Sequence, residues 1–463
     1  MAPSPKQAPP RGTRDLYPED MLRRRYVTQA WRDTAIRHGF EEIDGPTFEM
    51  SRLYAVKSGE GILGELFQAY SGKSPEEVEE VQKTGRAPYA MRPEFTPTGS
   101  RMFAARAKQL GRPTRWFNIG PRFRAERPQR GRLREFLQFD CDVLANWGHP
   151  AARAEAEADT IESCVLAMRA LGLKQDSVVV HLNDRKAVEV AITRAGIPED
   201  RANDVLGILD RRSKLPVEAA LSAWTEIGLE PAQLTRFDEQ LAFVLGDGDN
   251  LPVVAELARR ELTDAIEIDP QIVRGLAYYT GTVFEVISEG ERAVAGGGRY
   301  DELIRLLGGT PTNAVGFAMG DVVLSLLLED KGLLPEGREL MEAVGRPPAS
   351  VRPDAFVITP DESLDAEVTG LVARLRRGRE QADFDGKPWD PARYVIPPLH
   401  ARASDKGGRN VRKLLKDASR QFARYTVILE SADKAALKDL DSGKQEEFGV
   451  ETVAEEIAGR LGR

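Results

Sequence analysis

Apolar positions along the chain fall into two rhythms, one of three to four residues and one of two, and the switches between them outline the elements. In DMLRRRYVTQAWRDTAIRH (20–38) the longer rhythm predicts an amphipathic helix that Gly39 ends. FEEIDGPTFE (40–49) follows as extended chain broken at Gly45-Pro46. TRWFNIGPRFRAE (114–126) and EFLQFDCDVLA (135–145) alternate or run apolar like two antiparallel strands, and RPQRGR (127–132) reads as the loop between them. Residues 151–171 read as helix, and so does much of 186–266, in pieces separated by GIPED and GDGDN. This helical stretch interrupts a strand-rich region and predicts an inserted subdomain. AYYTGTVFEVIS (277–288) reads as a strand, and AVAGGGRYDELIRLL (293–307) as a glycine turn into a helix. AVGFAMGDVVLSLLLEDKGLL (314–334) reads as a strand, a glycine and an apolar helix.

Periodicity then fades. PEGRELMEAVGRPPASVRP (335–353) is rich in proline, glycine and polar residues and predicts a linker. Beyond it, DAFVITP, DAEVTGLVARLRRG, RNVRKLLKDASRQFA and RYTVILE alternate strand, helix, helix and strand, an α/β module over 354–463. A linker at that place predicts two separable activities. MAPSPKQAPPRG at the start lacks an apolar core segment, so residues 1–10 are expected as a loose tail and not as a signal peptide. No apolar run reaches membrane-spanning length, and the expected setting is cytoplasmic.

Composition sharpens this in one place. Of 463 residues, 41% are hydrophobic and 30% charged, with 65 basic against 73 acidic side chains. A net charge of −8 argues against a surface that is basic all over, so any nucleic-acid contact must be local. RFRAERPQRGRLR (122–134) is such a place, with arginines at 122, 124, 127, 130, 132 and 134 against Glu126 alone. Guanidinium forks match phosphate oxygens two at a time. A second cluster, KGGRNVRKLLKDASRQFAR (406–424), sets Arg409, Arg412, Lys413, Lys416 and Arg420 at helical spacing. Two cysteines, Cys141 and Cys164, and four scattered histidines give no disulfide framework and no structural metal site.

RGTRDLYP (11–18), RPEFTPT (92–98), FRAERPQRGRLREFLQFDCDV (123–143), RGLAYYTGTVFE (274–285), GGGRYDELI (296–304) and AVGFAMG (314–320) occur in that order. Together they resemble the histidyl-tRNA synthetases, a family of class II aminoacyl-tRNA synthetases. The resemblance implies an α+β catalytic domain (11–334) on a class II antiparallel sheet, with a helical insertion near 186–266. It also implies a C-terminal α/β anticodon-binding-like domain (354–463). The substrates implied are ATP carrying Mg²⁺, L-histidine and tRNA(His), in a homodimer with Pro46 at the interface. Carried over position by position, Arg124 holds the α-phosphate, Glu126 and Phe136 address adenine, and Arg132 reaches the terminal phosphate. Arg274 stands between the histidine carboxylate and the α-phosphate. Glu94, Thr96 and Gln138 bind the α-amino group, Asp142 and Tyr279 read the imidazole, and Tyr278 lines the pocket. Arg130, Arg409, Arg412, Lys413 and Lys416 are expected to meet tRNA. Such a reaction needs no general base, because the attacking carboxylate is already ionised at neutral pH. It needs fixed positive charge where the phosphorus gains negative charge.

Three positions depart from the family pattern. Val323 stands where an arginine usually closes the run after Gly320, Ala277 where aspartate is usual, and Asp142 where glutamate is usual. Arg130 or Arg134 is expected to supply the missing charge. A histidine-binding regulatory paralogue, of the type of the ATP phosphoribosyltransferase regulatory subunit, is the competing reading. Such paralogues lack the C-terminal module.

Overall fold

The computed structural model describes residues 8–58, 60–212, 215–246, 248, 251–272, 279–288, 293–344, 352–382, 384–386, 390–404 and 409–462. The first helix, Pro18–Arg37, starts with proline, whose missing N–H would have no partner in a first turn anyway. It stops at His38, and Gly39 takes φ +76°, a conformation that glycine adopts without a Cβ clash. Tyr26, Val27, Ala30, Trp31 and Thr34 form its buried stripe, and Trp31 stacks on Phe139 with ring centroids 5.4 Å apart.

Eleven strands follow in the catalytic body: β1 (Glu41–Glu42), β2 (Phe48–Met50), β3 (Gln68–Ala69), β4 (Tyr89–Met91), β5 (Thr114–Phe123), β6 (Glu135–Ala145), β7 (Val179–Asp184), β8 (Ile266–Ile268), β9 (Thr282–Ile287), β10 (Ala295–Arg299) and β11 (Asn313–Gly320). Eight of them make one sheet in the order β1-β5-β6-β11-β10-β9-β7-β8. Its neighbours are antiparallel except β1 with β5 and β7 with β8. This is the class II antiparallel sheet. β5 and β6 pair without a break from Thr114 opposite Leu144 to Phe123 opposite Glu135. Side chains alternate along β6, as in any strand. Phe139, Cys141 and Val143 face the core with Trp31 and Phe317, while Phe136, Gln138, Asp140 and Asp142 take the other face.

One expectation needs correction. AGGGR (295–299) is a strand, not a turn, and the helix after it is only Leu303–Leu306. The glycines serve close approach within the sheet. A Cβ on Gly298 would lie 2.6 Å from the Thr282 carbonyl oxygen and 3.0 Å from the Tyr279 ring, and one on Gly297 would overlap the Gly316 carbonyl oxygen.

The helical insertion leaves the sheet at β7 and returns at β8, its parallel neighbour. It contains the helices Arg185–Arg194, Ala202–Arg212, Val217–Glu226, Pro231–Leu245 and Pro252–Arg259. Trp224, Phe237, Leu241 and Leu257 bury into the same apolar core as the sheet, so the insertion shares the body's core.

Within the expected linker, Gly337–Val344 is a helix, and Leu340 and Ala343 are buried in the body's core. Eight residues with two apolar anchors three apart give too short a period to stand out in the sequence. Beside the two-stranded pair Arg379–Glu380 with Tyr394–Ile396, the described residues of the C-terminal module form a main sheet of five strands in the order Ala401–Ala403, Ala355–Ile358, Tyr425–Leu429, Lys434–Asp439, Gln445–Gly449. The first three are parallel and the last two return as a meander. Among the described residues no helix is long and apolar enough to cross a membrane.

Candidate active site

The even-numbered residues of β6 line up the expected functions. Phe136, Gln138, Asp140 and Asp142 share a face over about 20 Å of strand, at roughly 3.4 Å per residue. Gly320 pairs with Gln138 and Gly316 with Asp142 on β11. A Cβ on Gly316 would overlap Asp142 Oδ1, so this glycine makes room for the carboxylate.

At the hairpin end, Arg124 lies over the Phe136 ring at 4.9 Å, and its Nε donates to the Pro93 carbonyl at 3.3 Å. Burial pulls the Arg124 guanidinium below its ordinary value, and Glu94 and Glu126 pull it back. Glu126 pairs with Arg132, and Gln129 and Arg132 exchange backbone hydrogen bonds across the loop. Arg130 points elsewhere, onto Asp330 at 3.0 Å. Arg134 Nε donates to the Glu126 carbonyl at 3.1 Å.

In the middle, Gln138 Nε2 donates to Asp140 Oδ1 at 2.7 Å. Glu94 precedes buried Phe95, and Thr96 opens the helix Thr96–Arg106. At the far end, the Tyr300 hydroxyl donates to Asp142 Oδ1, and Tyr279 and Tyr300 lie in one buried cluster. Tyr300 is a residue the sequence reading missed, though it directly follows GGGR. Its hydroxyl gives the short Asp142 side chain a partner, and burial pushes it well above the usual tyrosine range.

Arg274, Ala277 and Tyr278 lie outside the described residues. The chain on both sides of them is anchored. Before them, Asn183 Nδ2 donates to the Pro270 and Ile272 carbonyls at 3.1 and 2.9 Å, and His181 Nδ1 lies 3.1 Å from Asp269 Oδ2. After them, the Thr280 N–H donates to the Arg299 carbonyl at 2.7 Å. The contact with Asp269 raises the His181 pKa, helped by the charges of Glu267 and Glu285. A raised histidine stabilises the fold below about pH 6.5, its unfolded value, and this contribution is lost as pH rises through the folded pKa. The melting temperature of His181→Gln is therefore expected to differ most from wild type at pH 6, with the gap closing by pH 9. A gap independent of pH would remove the ion pair as its cause.

Val323 sits in the apolar core at the start of the helix Asp321–Asp330. Of the two arginines expected to supply the missing charge, Arg134 stays at the hairpin on the Glu126 carbonyl and Arg130 turns away. Arg130 holds Asp330, at the opposite end of a helix about 14 Å long. Asp321 instead pairs with Arg14, has Arg24 at 4.0 Å, and accepts the Leu137 N–H at 2.8 Å, directly beside Phe136. Restoring arginine by Val323→Arg buries an unpaired charge. It is expected to lower the melting temperature and to change the KM for ATP by no more than about twofold. A fall in that KM of tenfold or more would show that the position still faces the nucleotide.

Of the second basic cluster, Arg409 is held by Asp365 at 2.6 Å, while Arg412, Lys413 and Lys416 are exposed on the helix Val411–Arg420. Lys406 lies outside the described residues.

A family profile described as "Histidyl-tRNA synthetase" matches residues 12–321. The chain is 38% identical to the histidine–tRNA ligase of Opitutus terrae, over 70% of this chain and 75% of the relative. It is 30% identical to that of Pyrococcus abyssi over 96% and 97%. In fold it is similar to the solved histidyl-tRNA synthetase of Nostoc sp., with TM-score 0.53, 21% identity and 98% and 99% coverage. A solved chain from Bacillus halodurans, titled as an ATP phosphoribosyltransferase regulatory subunit/histidyl-tRNA synthetase, is similar at TM-score 0.54 and 18% identity over 92% and 99%. The profile match over two thirds of the chain and the full-length likeness at 30% identity place this chain in the histidyl-tRNA synthetase family, the enzymes that join histidine to tRNA.

Proposed function

We propose that the chain activates L-histidine with ATP to histidyl-adenylate and then transfers the histidyl group to tRNA(His). The observation that carries this reading is the order of side chains on one face of β6, from an aromatic under a guanidinium to a carboxylate among tyrosines. The histidine carboxylate attacks the α-phosphorus, the bond to the leaving pyrophosphate breaks, and charge grows on the phosphoryl oxygens. Arg124 meets that charge, with Arg274 expected opposite. Glu126 and Phe136 hold adenine, and Arg132, already on Glu126, turns to the terminal phosphate. Glu94, Thr96 and Gln138 take the α-amino group. Asp142 and Tyr279, with Tyr300, read the ring nitrogens, and Tyr278 lines their pocket. A pocket that hydrogen-bonds both ring nitrogens leaves buried polar groups unpaired when another side chain enters.

Arg14 and Arg24 take the place of the absent arginine at 323, because they meet at Asp321 beside Phe136. Mg²⁺ enters with the nucleotide phosphates. Among the described residues no three carboxylate, histidine or cysteine groups converge to hold an ion. Transfer of the histidyl group places tRNA near the hairpin tip at Arg130 and its backbone on Arg412, Lys413 and Lys416, with Arg409 steadying that helix. Phe48, Met50 and Tyr70 are exposed on or beside the small β2-β4-β3 sheet, next to Pro46, and support a homodimer through this face.

Val323, together with Ala277, favours a second reading, a histidine-binding regulatory protein without charging activity. ATP–pyrophosphate exchange decides between them. Exchange is expected with L-histidine and Mg²⁺ and not with other amino acids. Histidine binding by calorimetry without any exchange would leave the second reading.

A further inference from the structure

Beneath the expected α-amino site lies a charged pair with no access to solvent. Arg122 is 0% exposed and Asp140 1%. Arg122 Nη2 donates to Asp140 Oδ2 at 2.7 Å and to Asn118 Oδ1 at 2.6 Å, and its Nη1 donates to the Pro121 carbonyl at 3.0 Å. Asp140 Oδ1 accepts Nε2 of Gln138 at 2.7 Å. Both carboxylate oxygens therefore accept, while burial raises the Asp140 pKa against the opposing pull of Arg122 and Gln138. Gly120, opposite Gln138 on β5, is what lets the guanidiniums in: a Cβ there would lie 2.6 Å from Arg92 Nη2 and 3.1 Å from Arg122 Nη1.

A second layer holds the neighbouring segment. The guanidiniums of Arg122 and Arg92 cover the Phe95 ring at 5.1 and 5.5 Å. Phe95 is 1% exposed and lies between Glu94 and Thr96. Arg92 is fixed in turn by Asp44 at 2.8 Å, the Gly45 carbonyl at 2.9 Å and the Pro121 carbonyl at 3.1 Å. Asn118 Nδ2 closes the network on the Ile43 carbonyl at 2.7 Å and on Asp44 at 3.1 Å.

We propose that the buried Arg122–Asp140 pair is a positioning device for the substrate ammonium: by engaging the NH₂ end of Gln138, Asp140 fixes its amide with the carbonyl oxygen presented as acceptor. An unrestrained amide could turn either end to the ligand, and its NH₂ end would repel an ammonium. Burying two charges is costly unless every hydrogen bond is made, and here almost all are. The same arginine steadies Phe95, and with it the backbone that carries Glu94 and Thr96. All three groups expected at the α-amino nitrogen thus rest on one buried support. The inference depends on the histidine-activating reading of the site.

Asp140→Asn tests it. The asparagine NH₂ lies where Asp140 Oδ1 accepted, so the Gln138 amide must turn over. The KM for histidine in pyrophosphate exchange is expected to rise about tenfold or more, with the KM for ATP moving less than about twofold. Inhibition by 3-(imidazol-4-yl)propionate, histidine without its amino group, is expected to stay within about twofold of wild type. Adding Gln138→Glu to Asp140→Asn gives the asparagine a carboxylate oxygen and leaves a second one for the ammonium, so the histidine KM recovers. Arg122→Met/Asp140→Leu, which strands no buried charge and leaves Gln138 Nε2 without the Asp140 acceptor, covers the case in which the single variant fails to fold, and the same selective loss is expected. Equal losses for histidine and the des-amino analogue, or no recovery with Gln138→Glu, overturn the proposal. If wild type shows no exchange, the proposed function falls. Calorimetric binding of histidine against the analogue then still tests the positioning role.

Discussion

Arg124→Ala lowers kcat/KM for histidine-dependent pyrophosphate exchange by about 10²- to 10³-fold, with most of the loss in kcat. The guanidinium is placed before substrate arrives, held over Phe136 and by the Pro93 carbonyl. A group fixed in this way reorganises little when charge develops on the phosphoryl oxygens. Its partial desolvation, seen in its lowered pKa, strengthens any field it exerts there. Arg124→Lys keeps a charge but gives up both the fork and the planar stacking surface, so it restores less than about a tenth of the activity. Exchange above a tenth of wild type in Arg124→Ala would move the transition-state role to Arg132 or Arg274.

Much of this arrangement could be read from the sequence because a hairpin obeys simple parity. Once 114–126 and 135–145 are antiparallel, Phe136, Gln138 and Asp142 must share a face with the site, and the arginine run falls at the tip. The same parity puts Asn118, Gly120, Arg122 and Asp140 on that face. Arg122 nevertheless passed for one more member of a charge run, because nothing local to the sequence tells a buried arginine from a solvated one. GGGRY was misread for a related reason. Glycine carries no hydrophobic signal, so a strand of glycines has no period, and its purpose is visible only across strands, at Tyr279, Thr282 and Gly316. Arg14 and Arg24 went unrecognised because their meeting point, Asp321, is about 300 residues away.

Arg376→Met is expected to lower unfolding stability by about 3 kcal/mol or more at neutral pH, although Arg376 lies in the C-terminal module and the loss falls on the catalytic body. Its Nη1 reaches Asp159 at 3.2 Å and Glu162 at 3.5 Å, both on the helix Pro150–Arg169. Arg115 of β5 holds Asp159 at 2.5 Å, and Arg260 spans Asp159, Glu162 and Glu256 at 3.4, 3.5 and 3.1 Å. Glu256 is also paired with Arg259, so among these groups Asp159 and Glu162 are the two carboxylates that depend on Arg115, Arg260 and Arg376. His38, whose Nε2 is 3.9 Å from Glu162, does not disturb the balance, because burial and the nearby Arg376 push its pKa well below the usual value. Burial alone would raise Asp159, but Arg115, Arg376 and Arg260 together bring it below the ordinary carboxylate range. Glu162 stays raised despite Arg376 and Arg260. Without Arg376, buried Glu162 keeps Arg260 alone of the two arginines at 3.5 Å, and Glu162 is the group that must take up a proton. A carboxylate with a raised folded pKa stabilises below its unfolded value and loses that contribution as pH rises through the folded one. The defect should therefore shrink toward pH 5. Arg376→Met/Glu162→Gln removes the carboxylate that lost its partner and should recover most of the loss in urea unfolding at pH 7. A single variant within about 1 kcal/mol of wild type, or a double variant no better than the single, would mean that the cluster does not couple the two parts. The same balance bears on the separable activities that a linker at 335–353 predicts. Deleting 354–463 removes Arg376 together with the Arg377–Glu261 contact at 2.7 Å, so histidine activation is expected to fall with stability even though none of the residues expected to hold histidine or ATP is deleted.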